Sequence, residues 1–557
     1  MDTMHTAKEK LAAALRDVGV SAEPASIPIE LTEDLSRGDF ASSVALAYSK
    51  AAGLAARVLA EKLAGSVSSI EGVSKVDIAG PGFLNFTLSA QLVCAGLEAV
   101  RSDPDAYGKG EGQKGKKVLF EYTDPNPFKE FHIGHLVPNA LGESVSRMYE
   151  FAGAEVKRAN YQGDVGIHVA KSLFIQLEKG ITDPTIEDLA AAYPEGSRRY
   201  DEDSSAKKAI DELNKKIYDK SDDRVNSLYE KGRTLSLSHF EELYKILGTK
   251  FDYYFFESET GPVGIAEVRS HPDIFPESEG AIIFRGEEHG LHTRVFINKL
   301  GLPTYEAKEL GLARLKRSKY PFDLTLTVTA NEQAEYFKVV MKAMEFALPD
   351  LQGKLAFKTN GLLRFAEGKM SSRLGNIITG EELLNDLKEK ARGRATDSRA
   401  EDPEMLAEHV AVAAIKYQIL KQAFGKDIIF DRERALSMEG DSGPYLQYAY
   451  ARTNAIAEKA KGAGVEAKFD ANTPASDVAR LLIRFPAITK RAAELLEPHI
   501  VTNYLISLAA EFNRWYAAEQ ILDGTPAAAH KVALTDAVRI TLKNGLWLLG
   551  IPAPEKM

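Results

Sequence analysis

The sequence predicts a multidomain protein: a doubly wound parallel α/β domain between a small N-terminal α/β domain and a C-terminal all-α helix bundle. Three observations carry this expectation. At 557 residues the chain is too long for a single hydrophobic core. From Val118 to about Ile378, short apolar strands alternate with helical patterns. From Gly380 onward, apolar residues recur at helical spacing with few β-branched runs.

Residues 1–110 form the first expected domain. Helical periodicity covers Ala7 to Val18 and Ala41 to Leu63, and a strand pair follows at Val73 to Ala79 and Gly82 to Leu88. Arg101 to Lys117 is rich in glycine and lysine without apolar periodicity, so it reads as a linker. The second domain spans 115–380, and about 178–259 is charged and helix-rich, as an insertion would be. The third, 381–557, carries helical patterns at Val410 to Phe424, Tyr445 to Lys461, Val478 to Leu496 and Thr502 to Ile521.

Composition narrows the class. A content of 44% hydrophobic and 27% charged residues is that of a globular protein. A single cysteine, Cys94, excludes a disulfide framework and a cysteine zinc site. No run of about 18 apolar residues and no signal-peptide core occur, so no membrane segment and a cytoplasmic location are expected. A net charge of −10 neither supports nor excludes a nucleic-acid partner, since phosphate contacts depend on local charge. The basic runs Lys388 to Arg399 and Ala313 to Lys319 read as solvated faces.

The most informative stretch is Glu121-Tyr-Thr-Asp-Pro-Asn126 followed by His132-Ile-Gly-His135. A strand runs into a Pro-containing bend, and a helix is expected to begin near Leu136, with Pro138 in its first turn. A glycine-containing turn at a helix N-terminus offers free N–H groups and the positive end of the dipole. Two imidazoles on that turn add donors for phosphate oxygens. His-x-x-His can also ligate zinc, but no cysteine or histidine set nearby completes such a site, and no structural metal is expected. No P-loop occurs. Far downstream lies Gly368-Lys-Met-Ser-Ser-Arg-Leu-Gly-Asn376, a glycine-bounded loop with a lysine, an arginine and hydroxyls.

These two motifs together resemble the HIGH and KMSKS signatures of class I aminoacyl-tRNA synthetases. Ser372 and Arg373 depart from the general second signature, and Met-Ser-x-Arg-x-Gly-Asn is the form typical of arginyl-tRNA synthetases. The resemblance extends along the chain: Asn160-Tyr-Gln-Gly-Asp164-Val-Gly166, Phe251 to Ser258, Leu302 to Glu309, Asp441 to Tyr448 and Leu549 to Met557 are similar to further blocks of that family.

The resemblance implies ATP-dependent attachment of L-arginine to its cognate tRNA through an arginyl-adenylate, with release of AMP and pyrophosphate, on a Rossmann-like domain. By position, it assigns His132, Gly134 and His135 to ATP, with Lys369, Met370, Ser371 and Arg373 on the phosphates. Catalytic roles fall to His132, His135 and Lys369. Mg²⁺ would arrive with ATP rather than sit in a protein cage. Glu121, Asn126, Tyr305, Glu309 and Gln333 would form the arginine pocket. Asn126 and Glu121 would hold the α-amino end, or Glu121 the side chain, while Tyr305 and Glu309 face the guanidinium. Glu309 stands where the family normally has Asp. Phe83 and Asn85 match positions that contact the tRNA elbow, and the bland alternative is a core Phe83 and an ordinary strand Asn85. Tyr448 and Trp515, with Tyr516 and Trp547, are candidates to stack on anticodon bases. A monomer is expected. The competing readings are another class I synthetase, lysyl or glutamyl, and a paralogue that binds tRNA without charging it.

Overall fold

Val118, Leu119 and Phe120 are completely buried, as expected of a strand covered on both faces. In the computed structural model, which describes residues 2–366, 378–394 and 400–557, they belong to β1 (Lys117–Glu121). The chain divides into two compact units: Lys109–Tyr448, Lys490–Asn503 and Gly545–Met557 form one, and Met1–Gly108, Ala449–Thr489 and Tyr504–Asn544 the other.

In the first unit β1 leads into α1 (Ile133–Phe151), β2 (Glu155–Gln162) and α2 (Ile167–Glu178). Helix α1 begins at Ile133, earlier than expected, because His132 itself serves as its N-cap. Pro138 therefore lies inside the helix, where it withholds the N–H that would bond the Gly134 carbonyl. Three helices follow, α3 (Ile186–Glu202), α4 (Ser204–Asp219) and α5 (Asp223–Ile246), with N-caps Thr185, Asp203 and Asp222. They share a core with α2 built on Val169, Leu173, Leu189, Ile210 and Leu228. The chain then returns to the sheet as β3 (Tyr253–Phe256), within the span expected as insertion, because its aromatic residues pair with the end of β2.

Helix α6 (Glu257–Ser270), a three-stranded antiparallel sheet over 277–297, and α7 (Tyr305–Lys319) come next. Helices α6 and α7 meet closely: a Cβ on Gly264 would stand 1.8 Å from the Ala307 carbonyl oxygen. Then β4 (Leu324–Ala330), α8 (Ala334–Ala347) and β5 (Leu355–Asn360) complete a parallel sheet of order β5-β4-β1-β2-β3. Because β2 and β4 flank β1 on opposite sides, strand order reverses beside β1. Ligands of such sheets bind at the carboxyl ends of strands at that point. Strand Ile428–Phe430, which pairs in parallel with Leu363–Phe365, interrupts the stretch expected to be wholly helical from 381.

In the second unit, helices Asp2–Asp17, Val44–Ala52 and Ala56–Val67 share a core with a four-stranded antiparallel sheet. The expected single helix over Ala41 to Leu63 is instead a short strand, Phe40–Ser42, and two helices parted by Gly53 at φ 65°. Strands Ile29–Leu31 and Phe40–Ser42 are too short to show a period-2 pattern. Within this unit Arg480 donates to Asp39 at 2.9 Å and Arg484 to the Thr32 carbonyl at 2.6 Å. The expected helix Val478 to Leu496 is two helices, Asp477–Leu482 and Phe485–Leu495.

Candidate active site

The bend after β1 is strained into the left-handed region at Thr123 (φ 83°), Asp124 (φ 46°) and Phe128 (φ 66°). It delivers His132 and His135 to the start of α1. Nδ1 of His132 accepts the Gly134 N–H at 3.1 Å, and Nδ1 of His135 accepts the His132 N–H at 3.2 Å. The rings stack at 3.7 Å with 20° between their planes. An Nδ1 that accepts carries no proton, so in each neutral ring the proton sits on Nε2. Burial, then the charges of His132 and Lys129, holds His135 well below the ordinary imidazole range. Burial and Lys129 lower His132 as well. Two neutral imidazoles can therefore stack without repulsion and present Nε2–H donors. A Cβ on Gly134 would stand 2.8 Å from the His132 ring, so this position accepts only glycine without displacing that imidazole.

Lys369, Met370, Ser371 and Arg373 lie outside the described residues. The chain after them touches the histidine turn directly: Thr379 bridges His132, and the Gly380 N–H donates to the Phe131 carbonyl at 2.7 Å.

Beside β1, Glu121 is almost wholly buried and is already engaged. It forms an ion pair with Lys316 of α7 and accepts from the Thr327 hydroxyl at 3.1 Å across the β1–β4 gap. Lys316 belongs to the basic run expected to face solvent, yet it is only 4% exposed, because the helix face it shares with Leu312 and Ala313 packs on the sheet. A second buried pair joins Lys308 to Glu257 at 2.5 Å, and the Lys308 ammonium stands 5.2 Å from the Tyr305 ring centroid. Glu306 has Arg294 at 3.5 Å. Glu309, half-buried on α7, has no basic side chain within ion-pair distance among the described residues. Burial, and next the charge of Glu121, raise its carboxyl to about 8, with Lys316 opposing. Asp124 is likewise pushed well above the carboxylate range by burial and Glu121, while its Oδ1 accepts the Tyr161 N–H at 2.7 Å.

The other expected pocket residues are placed unevenly. Asn126 Oδ1 accepts the Gly163 N–H at 2.9 Å, at the carboxyl end of β2. Tyr305 opens α7 and is 65% exposed. Gln333 stands exposed in the turn Asn331–Gln333 after β4, at the same edge of the sheet. Lys316, Lys308 and Glu257 are the site residues that sequence reasoning missed. The separation of Glu309 from Lys316 by two helical turns was the available signal.

Of the expected tRNA contacts, Phe83 is exposed, which excludes the core alternative, and Asn85 is buried in the same strand. Tyr448 is exposed, and Trp515 is half-buried with its ring 6.2 Å from Phe512. Among the described residues no cluster of three His, Cys, Asp or Glu could hold a metal, and no helix is long and apolar enough to cross a membrane.

A parallel sheet with paired histidines capping the helix after its switch-point strand defines the class I aminoacyl-tRNA synthetase type of catalytic domain. Family comparison agrees: the class I (R) tRNA synthetase catalytic domain matches residues 99–432. The arginyl-tRNA synthetase N-terminal domain matches 5–88, and the DALR anticodon-binding domain matches 446–557. The chain belongs to the arginyl-tRNA synthetase family. It is 30% identical to the arginine–tRNA ligase of Clostridium botulinum over 95% of this chain and 96% of that one. Against the ligase of Streptococcus pneumoniae, identity is also 30%, over 99% and 100%. The solved Thermus thermophilus arginyl-tRNA synthetase superposes with a TM-score of 0.81 at 25% identity, over 99% of each chain.

Proposed function

We propose that this chain, an arginine–tRNA ligase, selects arginine through Glu309 and activates it on the histidine turn at the end of β1. The observation that carries this reading is the distribution of charge in the pocket. Glu121, Glu257 and Glu306 each face a basic side chain, whereas Glu309 has none within ion-pair distance among the described residues. A guanidinium supplies the missing cation and offers a planar donor fork to the carboxylate. Tyr305, four residues earlier on α7, lies beside it. Glu121 then acts by fixing Lys316 and the strand ends rather than by touching substrate. Asn126, expected at the α-amino end, has its oxygen occupied by Gly163, so its free NH₂ suits the arginine carboxylate instead, with Gln333 at the pocket mouth.

The activation step is in-line attack of the arginine carboxylate on the α-phosphorus of ATP, with pyrophosphate leaving. Positioning and charge neutralisation carry such a step, so no protein nucleophile is needed. Nε2–H of His132 and His135 donates to phosphate oxygens, Gly134 admits the nucleotide, and Lys369 with Met370, Ser371 and Arg373 holds the β- and γ-phosphates. Mg²⁺ travels with ATP. The terminal ribose hydroxyl of the tRNA then displaces AMP from the adenylate. Phe83 and Asn85 contact the tRNA elbow and Tyr448 and Trp515 its anticodon end. The protein acts as a cytoplasmic monomer.

The test is transfer of labelled arginine to total tRNA, with and without ATP, beside labelled lysine. Arginine transfer that requires ATP, with no lysine transfer, is the expected result. Equal transfer of both would reject Glu309 as the selecting group.

A further inference from the structure

We infer that His168 is a positioning residue of the arginine subsite, acting on Asn126 through the backbone of Gly163. This rests on the assignment of Asn126 to arginine.

Strand β2 ends at Gln162, and Gly163 lies between two clamps. On one side its N–H donates to Asn126 Oδ1 at 2.9 Å. On the other, its carbonyl lies 2.8 Å from His168 Nε2. A carbonyl can only accept, so Nε2 is the donor. Burial holds the His168 imidazole down to about 4, so the ring is neutral and its single proton is committed to this bond. His168 lies in the first turn of α2 and is 9% exposed, so its reach is set by a packed helix rather than by a loop.

The position of Gly163 makes this clamp matter for the pocket. A Cβ there would stand 2.6 Å from Asn126 Oδ1 and 3.2 Å from Glu257 Oε1. Gly163 thus lies against both Asn126 and Glu257, the carboxylate paired with Lys308. Its N–H also decides which way the Asn126 amide is turned: the oxygen is spent on Gly163, so the NH₂ is the edge left for an acceptor. Without the His168 donor, the Gly163 carbonyl loses its partner and the backbone that orients Asn126 is free to rotate. The rest of the loop stays anchored by Asp164, whose carboxylate accepts from Ser258, Tyr229 and Arg233. Loss of the clamp should therefore disturb substrate orientation and leave the fold intact.

The experiment compares His168→Phe, which keeps the ring volume but lacks the donor, with His168→Gln, whose Nε2 lies the same number of bonds from the backbone. Arginylation of tRNA is measured with arginine and ATP varied separately, and Asn126→Ala is run beside them. His168→Phe should raise the arginine KM about 10- to 100-fold, as expected for a buried carbonyl left without a donor. It should leave the ATP KM within about 2-fold, and His168→Gln should recover most of the loss. An unchanged arginine KM in His168→Phe, with a raised one in Asn126→Ala, overturns the relay alone. An unchanged arginine KM in Asn126→Ala overturns the pocket assignment and the relay with it. Equal rises in both KM values with a lowered Tm, not rescued by Gln, would mean a merely structural histidine and also overturn it.

Discussion

Arginine binding should release a proton from Glu309. With the pocket empty, burial and the neighbouring Glu121 charge hold this carboxyl protonated up to about pH 8. A guanidinium needs the carboxylate, so at pH 7 binding must first remove that proton. One unit between pH 7 and 8 corresponds to about 1.4 kcal/mol of arginine affinity withheld at neutral pH. The arginine KM should fall about 10-fold per unit as pH rises from 6 towards 8, then level off. The sign for stability is opposite. A carboxyl raised from 4.5 to about 8 keeps its proton longer in the folded state, so the empty protein loses stability as pH rises through that window.

Glu309→Gln imitates the protonated form permanently. Leaving a buried cation without its partner costs about 2–5 kcal/mol. The native protein already forgoes about 1.4 of this at pH 7. The variant should thus lose about 1–4 kcal/mol, a rise of roughly 5- to 10³-fold in arginine KM. Its KM should no longer follow pH. The assay is tRNA arginylation from pH 6 to 8.5 with arginine varied, and ATP varied in parallel as control. A native arginine KM that does not change with pH, or a slope that persists in Glu309→Gln, would mean that Glu309 does not titrate on arginine binding.

Three further outcomes are expected. Lys316→Met strands the buried Glu121 charge and should cost about 3–5 kcal/mol in urea unfolding, with partial recovery in the Lys316→Met, Glu121→Gln double variant; no recovery would break the assigned pair. Gly134→Ala drives a methyl into the His132 ring and should raise the ATP KM about 10-fold while arginine KM stays constant, as expected for one displaced phosphate donor. Lys369→Ala should lower kcat about 10²–10³-fold with little change in ATP affinity, since its interaction strengthens in the transition state; near-native turnover with lost ATP binding would reverse that role.

The strand, the bend and the helix that follows the histidine turn were legible in the sequence because each rests on contiguous residues. The buried run Val118 to Phe120 marks a strand, and Gly134 leaves room for the His132 ring. Only the start of the helix was misplaced, since a histidine cap is not among the usual capping residues. The pairing of charges was not legible in the same way. Lys316 reads as one member of a basic run, and its burial depends on which face of α7 meets the sheet. Glu309 could be assigned to arginine from its motif, but its raised carboxyl arises from burial and from the charge of Glu121 on another element, with Lys316 only opposing. Local geometry is set by dihedral preference and caps, which neighbouring residues carry. The ionic state of a pocket is set by desolvation and by partners distant in sequence, and those exist only once the strands and helices have packed.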